Sequence, residues 1–180
     1  MEQAIKIQRI SGPAKQLDCG NDSINKKLEE AYFADMLRQG YTYEISVADI
    51  ILGYYMITFR KYIVGDWKAE EMNYASGLSE SYFTLHLQYI LVDKKYQKKG
   101  IGTVVLKKII SDAKKLSNEW PIRFLTLNAV SDKYKWYEKC GFLPMNDEEI
   151  NNSSYEIGMF LDCIDDKNKS KLNEYISSNI

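Results

Sequence analysis

Residues 92–103 of the chain read VDKKYQKKGIGT and separate two segments of different periodicity. Residues 81–92 alternate as a β-strand does, and residues 103–116 place apolar side chains on one helical face. The stretch therefore predicts a strand that passes into a helix through Gly100 and Gly102. Glycines let the backbone approach a ligand, and the first turn of a helix leaves unpaired N–H groups that favour an anion such as a pyrophosphate.

This glycine pattern differs from two common phosphate-binding motifs. A dinucleotide-binding fingerprint needs a third glycine or alanine at the position that Val105 occupies. A P-loop needs Gly-Lys followed by Ser or Thr, which the sequence lacks. The predicted anion site is therefore neither of these motifs, but the two glycines and the first turn of the helix.

The segments before this stretch predict, in order, a strand, one amphipathic helix, a two-stranded hairpin, and a loop or short helix. They cover residues 4–10, 24–36, 43–47 with 50–59, and 64–80. The helix is predicted from apolar residues at near-helical spacing up to Gly40, and the hairpin from β-branched and aromatic residues around Ala48-Asp49.

The segments after it predict a strand, a short helix, a last strand and a polar tail. They cover residues 122–129, 132–139, 155–161 and 165–180. Asp132 is expected to cap the short helix, and Gly141 is expected to end it. The tail is expected to be a marginal helix or to fray.

Composition indicates a globular protein. The chain has 180 residues, of which 45% are hydrophobic and 27% charged, and no apolar run approaches the roughly 20 residues of a membrane helix. The first residues lack the layout of a secretory signal, so a cytoplasmic location without membrane contact is expected. Three widely spaced cysteines and one histidine predict neither a disulfide framework nor a metal site.

Charge is unevenly distributed along the chain. The net charge of −1 argues against nucleic-acid binding through overall charge alone. Residues 93–115, however, carry eight lysines and two aspartates, a local charge of +6, whereas residues 146–180 carry −5. Either the middle of the chain meets an anionic molecule, or its lysines form a solvated helix face that the acidic end balances.

Three motifs together resemble one known family. Residues 97–102 (QKKGIG) are similar to the Gln/Arg-x-x-Gly-x-Gly/Ala signature of the GNAT superfamily of N-acetyltransferases. Residues 89–93 (YILVD) resemble its fourth strand, and residues 137–142 (YEKCGF) resemble its Tyr-Glu-Lys-x-Gly-Phe element. The resemblance covers most of residues 4–162 and implies that the chain is an acetyltransferase.

The resemblance also implies a fold. It is an α/β fold with a mixed, mostly antiparallel sheet of six to seven strands, helices on both faces, and a splay between the fourth and fifth strands. The expected domain organisation is an acetyltransferase domain over residues 1–164 and an acidic, polar tail over residues 165–180.

The implied cosubstrate is acetyl-CoA, whose acetyl group would pass to a primary amine by direct attack. The helix start would bind the pyrophosphate, the end of the fourth strand would pair with the pantetheine arm, and the Val92 N–H would polarise the thioester carbonyl. The residues expected to bind acetyl-CoA are Leu91, Val92, Gln97, Lys98, Lys99, Gly100, Ile101, Gly102 and Thr103.

Tyr137 stands where the family has its general acid, and a phenol can donate a proton to the departing thiolate. The alternatives are that its ring fills the core or that Tyr134, one turn earlier, supplies the proton. The general base is left open among His86, Glu44 and water. Asn128 is expected either to bind cofactor or amine or to cap a strand end.

The amine acceptor is left open between two classes. Residues 17–28 (LDCGNDSINKKL) resemble the opening of toxin acetyltransferases from toxin–antitoxin pairs, which acetylate the amino group of aminoacyl-tRNA. That reading implies tRNA and an antitoxin protein as partners, and a homodimer is also considered. The other class is a small-molecule or protein amine, while a non-catalytic module that binds CoA or a partner stays an alternative to any enzyme.

Overall fold

Seven strands form one sheet in the part of the chain that this computed structural model describes, residues 4–63, 81–146, 150–152 and 155–179. They are β1 (Lys6–Arg9), β2 (Tyr41–Val47), β3 (Ile50–Ile63), β4 (Ser81–Val92), β5 (Ile122–Val130), β6 (Leu143–Pro144) and β7 (Glu156–Asp162). Their order is β1-β2-β3-β4-β5-β7-β6, and each neighbouring pair is antiparallel except the parallel pair β4–β5. The predicted mixed sheet is confirmed.

Five α-helices and one short 3-10 helix have both ends within the described residues. They are α1 (Asp22–Lys26), α2 (Ala31–Met36), the 3-10 helix (Lys94–Tyr96), α3 (Ile101–Ser117), α4 (Tyr134–Glu138) and α5 (Asp166–Asn179). None of the helices in the described ranges has the length and apolar character needed to cross a membrane.

Helices cover both faces of the sheet. On one face α3 packs over a core that includes Tyr55 and Leu85. On the opposite face the segment joining α1 to α2 places Leu28 against Tyr54 and Tyr89. Leu28 is 2% exposed, and burial of such a side chain stabilises the fold by about 2 kcal/mol.

A β-bulge at Gln88 changes the face that β4 presents. Met56 pairs with Tyr89 and Ile57 pairs with Leu87, so Gln88 is an extra residue in β4. Side chains alternate between the two faces of a regular strand, so Leu87 and Tyr89 would otherwise share a face. Because of the bulge, Leu87 enters the core under α3 and Tyr89 enters the cluster on the opposite face.

The predicted single helix over residues 24–36 is wrong. The chain forms α1 and α2 instead, because the backbone between them makes tighter i→i+3 hydrogen bonds, such as Leu28 N to Asn25 O at 3.1 Å. This tighter turn accompanies the burial of Leu28 and Ala31, which are 2% and 1% exposed. Both apolar positions are therefore buried without a continuous helix.

Most other elements agree with the sequence. The hairpin is confirmed, with Ala48 at φ +52°, and Gly141 ends α4 at φ +96°. The predicted cap by Asp132 is wrong, because Lys133 occupies the N-cap position and pairs with the Asp132 carboxylate instead.

Three further predictions concern the strands and the ends of the chain. The short strand β6 was not predicted, and α5 shows that the tail takes the helical alternative. The loop or short helix expected over residues 64–80 lies outside the described residues. The boundary between a domain over residues 1–164 and a tail stays a prediction.

Candidate active site

A cavity of about 770 Å³ lies in the gap where β4 and β5 separate. The parallel pairing between them ends at Leu87 and Leu127, although β4 continues to Val92 and β5 to Val130. This is the predicted splay. Among the residues expected to bind acetyl-CoA or to catalyse, the cavity is lined by Leu91, Val92, Gln97, Lys98, Gly100, Ile101, Gly102, Thr103 and Tyr137.

Lys99 is the remaining expected binding residue, and it does not line the cavity. Its Nζ lies 5.5 Å from the centroid of the Tyr96 ring, so the side chain rests on that ring. The structure therefore gives Lys99 a surface position.

The start of α3 has the backbone geometry of an anion site. Gly100 is the N-cap at φ +80°, and its carbonyl accepts from Val104 N at 3.0 Å. Lys98, two residues earlier, also has a positive φ of +60°. The first N–H groups of α3 have no partner within the helix and point toward the cavity end of the axis, where the helix dipole favours negative charge.

The two glycines of the motif serve different needs. The φ of Gly100 disfavours a side chain whatever the space around it. A Cβ at Gly102 would lie 3.5 Å from the Trp136 ring, an ordinary contact, so packing within the protein does not require glycine there. The absence of a side chain at Gly102 instead leaves the cavity open beside the helix start.

Gln97 holds the end of β4 to an N-terminal loop. Its Nε2 donates to Val92 O at 2.9 Å and to Cys19 O at 2.8 Å. Since the amide is engaged in both bonds, the Gln97 side chain shapes the cavity wall instead of reaching into it.

The loop that Gln97 holds was not assigned to the site from the sequence. Cys19 and Asn21 line the cavity, and Asp18 anchors the loop by an ion pair with Lys94 and by accepting from Gly20 N at 2.8 Å. The Lys94 ammonium, with these hydrogen bonds, lowers the pKa of Asp18 to about 2. The resemblance over residues 17–28 was the available signal for this loop.

The end of β4 presents main-chain groups to the gap. Asp93 N donates to Leu52 O at 2.8 Å on β3, so the preceding N–H, that of Val92, points away from β3. On the other side a Cβ at Gly53 would lie 2.1 Å from Leu91 O. Glycine at position 53 therefore allows β3 to support β4 closely where β5 no longer does.

Tyr137 combines a packed ring with a free hydroxyl. It is 8% exposed, and its ring lies 4.6 Å from the Trp136 ring and 5.8 Å from the Phe142 ring, centroid to centroid. Burial raises the pKa of Tyr137 above its usual value, so the phenol keeps its proton. Its Oη makes no hydrogen bond to the described residues, and Tyr134 does not line the cavity.

The open candidates for a base occupy different places. His86 lines the cavity, and Glu44 does not: it lies on β2, with its Oε1 3.4 Å from Gln8 Nε2. Asn128 lines the cavity and donates from Nδ2 to Glu156 Oε2 at 3.3 Å. Within the described ranges no cluster of three His, Cys, Asp or Glu side chains could hold a metal ion.

Comparisons with solved structures find the same fold in toxin acetyltransferase structures. A structure described as a bacterial toxin shares 19% identity and a TM-score of 0.73, covering 96% of each chain. The AtaTR complex with acetyl-CoA shares 16% identity and a TM-score of 0.72, covering 96% of this chain and 99% of the other. AtaT complexed with acetyl-methionyl-tRNAfMet shares 16% identity and a TM-score of 0.70, covering 88% and 95%.

Sequence comparisons place the chain in a family. None of the curated proteins compared with it matches its sequence. A family model described as an acetyltransferase (GNAT) domain matches residues 44–144, more than half of the chain and nearly all of the cavity wall formed by β4, α3 and α4. The chain therefore belongs to the GNAT acetyltransferase family.

Proposed function

We propose that the cavity binds acetyl-CoA and transfers its acetyl group to the amino group of an aminoacyl-tRNA. One observation carries the first part: a single cavity joins the unpaired amides at the start of α3, the free edge of β4 and the unbonded hydroxyl of Tyr137. These are the groups that a pyrophosphate, an extended amide-bearing arm and a departing thiolate require, in that order.

The binding roles follow from the position of each group. The N–H groups from Lys98 to Thr103 hold the pyrophosphate, with Lys98 adding charge. The edge of β4 that ends at Val92 pairs with the pantetheine arm as an added strand would, while the Leu91 carbonyl faces Gly53 on β3 and Leu91 only lines the cavity. Gln97 keeps this edge in place through its bond to Val92 O.

The transfer needs only the amine, the thioester and one proton donor. The neutral amine attacks the thioester carbonyl, the C–N bond forms and the C–S bond breaks, and the Val92 N–H stabilises the oxyanion between these events. The nitrogen loses one proton to water, the sulfur takes one from Tyr137 Oη, and solvent reprotonates the phenolate. Proton number is therefore unchanged over the cycle.

Two observations support aminoacyl-tRNA as the acceptor. The structural neighbour AtaT is described in complex with acetyl-methionyl-tRNAfMet. In this chain three lysines, Lys27, Lys98 and Lys133, line the cavity and can meet phosphate groups of a bound nucleic acid. Lys98 is the one lysine of the basic segment over residues 93–115 that lines it; the other seven lie elsewhere.

The same proposal extends to partners and location. AtaT is also described bound to the C-terminus of the antitoxin AtaR, and we expect an antitoxin protein to bind this chain. Acetyl-CoA and aminoacyl-tRNA are cytoplasmic molecules, so the proposal places the protein in the cytoplasm.

Labelled acetyl-CoA and a panel of aminoacyl-tRNAs test the proposal. Wild-type protein should transfer label to one or more charged tRNAs, and uncharged tRNA should stay unlabelled because it lacks the amino group. If only small amines or peptides became labelled, the acceptor would be an amine of that class and not aminoacyl-tRNA. Binding of acetyl-CoA without consumption of the thioester with any acceptor would instead support a non-catalytic module.

A further inference from the structure

His86 lies at the inner end of the gap between β4 and β5, one residue before their pairing stops. The side chain is 4% exposed, yet it lines the cavity. Its Nδ1 lies 3.0 Å from Thr126 Oγ1 on β5. Its Nε2 has no hydrogen-bond partner among the described residues, so this nitrogen is available to a molecule in the cavity.

The surroundings of Thr126 decide which ring nitrogen carries the proton. Thr126 Oγ1 lies 3.2 Å from Leu85 O, and a carbonyl can only accept. When Thr126 gives its one hydroxyl hydrogen to Leu85 O, its Oγ1 accepts from His86, and Nδ1 then carries the ring proton.

The neighbouring hydroxyl does not disturb this assignment. Thr84 Oγ1 lies 3.3 Å from Thr126 Oγ1, but it also lies 3.2 Å from Arg60 O and gives its hydrogen there. No second donor then competes with His86 for Thr126 Oγ1. The tautomer with a lone pair on Nε2 is the one that satisfies both carbonyls.

The imidazole also stays neutral at physiological pH. Burial, together with the charges of Arg60 and Lys27, lowers the pKa of His86 to about 4. A neutral ring with its proton on Nδ1 can only accept at Nε2.

We propose that Thr126 is a positioning residue that fixes this tautomer, and that His86 Nε2 accepts a hydrogen bond from the attacking amine and does not act as a proton-taking base. The bond directs the nitrogen lone pair at the thioester while Tyr137 serves the sulfur in the same cavity. The inference rests on the proposed transfer to an amine, but the tautomer can be measured without any acceptor.

The first test uses the fact that the chain has a single histidine. Nitrogen-15 NMR of the labelled imidazole in wild-type protein should show a protonated Nδ1, an unprotonated Nε2 and a titration midpoint well below that of free histidine. Thr126→Val should lose this tautomer preference, and Thr126→Ser should keep it. A proton on Nε2 in the wild type, or an unchanged spectrum in Thr126→Val, would overturn the assignment.

The second test separates an acceptor from a base. His86→Gln can place an amide oxygen near the Nε2 position without taking a proton, whereas His86→Asn reaches only the Nδ1 position. We expect kcat/KM for the charged tRNA to fall about tenfold or more in His86→Asn and clearly less in His86→Gln, with acetyl-CoA affinity unchanged in both. Equal activity of His86→Asn and wild type, or equal loss in both variants, would overturn the acceptor role.

The two proposals fail in distinguishable ways. If wild-type protein shows the Nδ1–H spectrum but acetylates no charged tRNA, the proposed acceptor is wrong and the tautomer fixed by Thr126 is supported. If it acetylates charged tRNA but shows the Nε2–H spectrum, the proposed function is supported and the role of Thr126 is wrong.

Discussion

The two halves of β4 share one neighbour and differ in the other. Residues 83–87 pair with β3 on one side and β5 on the other, whereas residues 89–92 pair with β3 alone. The first half is paired on both edges and holds the buried His86 at the inner end of the cavity. The second half, open on one edge, presents Leu91 and Val92 to the cavity. The comparison indicates how a sheet can offer main-chain groups to a ligand: one edge of the strand is held rigidly while the other is left open.

The largest expected effect comes from removing the support of the open half. A Cβ at position 53 would meet the Leu91 carbonyl, which is backbone and cannot turn aside, so Gly53→Ala should cost about 3 kcal/mol or more of the free energy of unfolding. Urea denaturation measures it, and acetyl-CoA binding should be lost as well. Gly12→Ala is the matched control, because nothing lies within 4 Å of a Cβ there. Similar stability in both variants would mean that β3 does not support β4 in this way.

The next effect concerns Tyr137, the proposed proton donor beside the open half. Tyr137→Phe keeps the packed ring and removes the hydroxyl, so kcat should fall roughly 100-fold while acetyl-CoA affinity stays nearly constant. Steady-state kinetics with calorimetry measures both quantities. Tyr134→Phe, whose side chain does not line the cavity, should behave as the wild type. The opposite ranking of the two variants would move the role to Tyr134.

His86, in the half of β4 that is paired on both edges, should make the free energy of unfolding fall in acid. Its pKa is 6.5 when exposed and about 4 when folded, so above pH 6.5 both states are neutral and no stability is lost. As the pH falls from 7 to 5 the unfolded chain takes up the proton first, which should cost about 2 kcal/mol. Denaturation at the two pH values should show this excess loss in wild type relative to His86→Gln. Parallel curves would show that the ring is not buried as described.

A smaller effect is expected at the helix start that closes the open half. Gly102→Val should weaken acetyl-CoA binding about tenfold by filling the approach to the first amides of α3, whereas Gly102→Ala should fold normally because its Cβ has an ordinary contact with Trp136. Calorimetry and circular dichroism check the two parts. Ser111→Val, on the exposed side of the same helix, is the control for a β-branched residue in α3. Equal affinities in all three variants would remove this loop from the site.

The smallest expected effect distinguishes cavity lysines from surface lysines. Lys27→Ala and Lys133→Ala should each reduce the salt dependence of tRNA binding by about one unit of log-log slope, because each removes one phosphate contact. Lys107→Ala and Lys114→Ala, on exposed positions of α3 outside the cavity, should leave the slope nearly unchanged. tRNA binding measured between low and moderate salt gives this slope. A change of slope confined to the α3 variants would place the tRNA on that helix.

Sequence patterns predicted the strands and helices whose signal lies within a single element. The strand ending at Val92 was predicted from alternation, and α3 from helical spacing after Gly100, because both signals lie within one element. The single helix expected over residues 24–36 was wrong, since the backbone between α1 and α2 makes i→i+3 hydrogen bonds and still buries Leu28 and Ala31. The two-residue strand β6 carries too short a pattern to be recognised.

The sequence by itself determined the family resemblance and the strand-to-helix passage, and it proposed Tyr137 as the general acid, because each of these depends on residues close together in the chain. Only the tertiary structure decided the rest of the site. Gln97 reaches Cys19 across 78 positions, His86 meets Thr126 across 40, and the bulge at Gln88 exists only in the register between two strands. Such contacts leave no periodic pattern in the sequence, because they form only when segments distant in the chain pack together. That packing also fixes which polar groups are paired and which stay free.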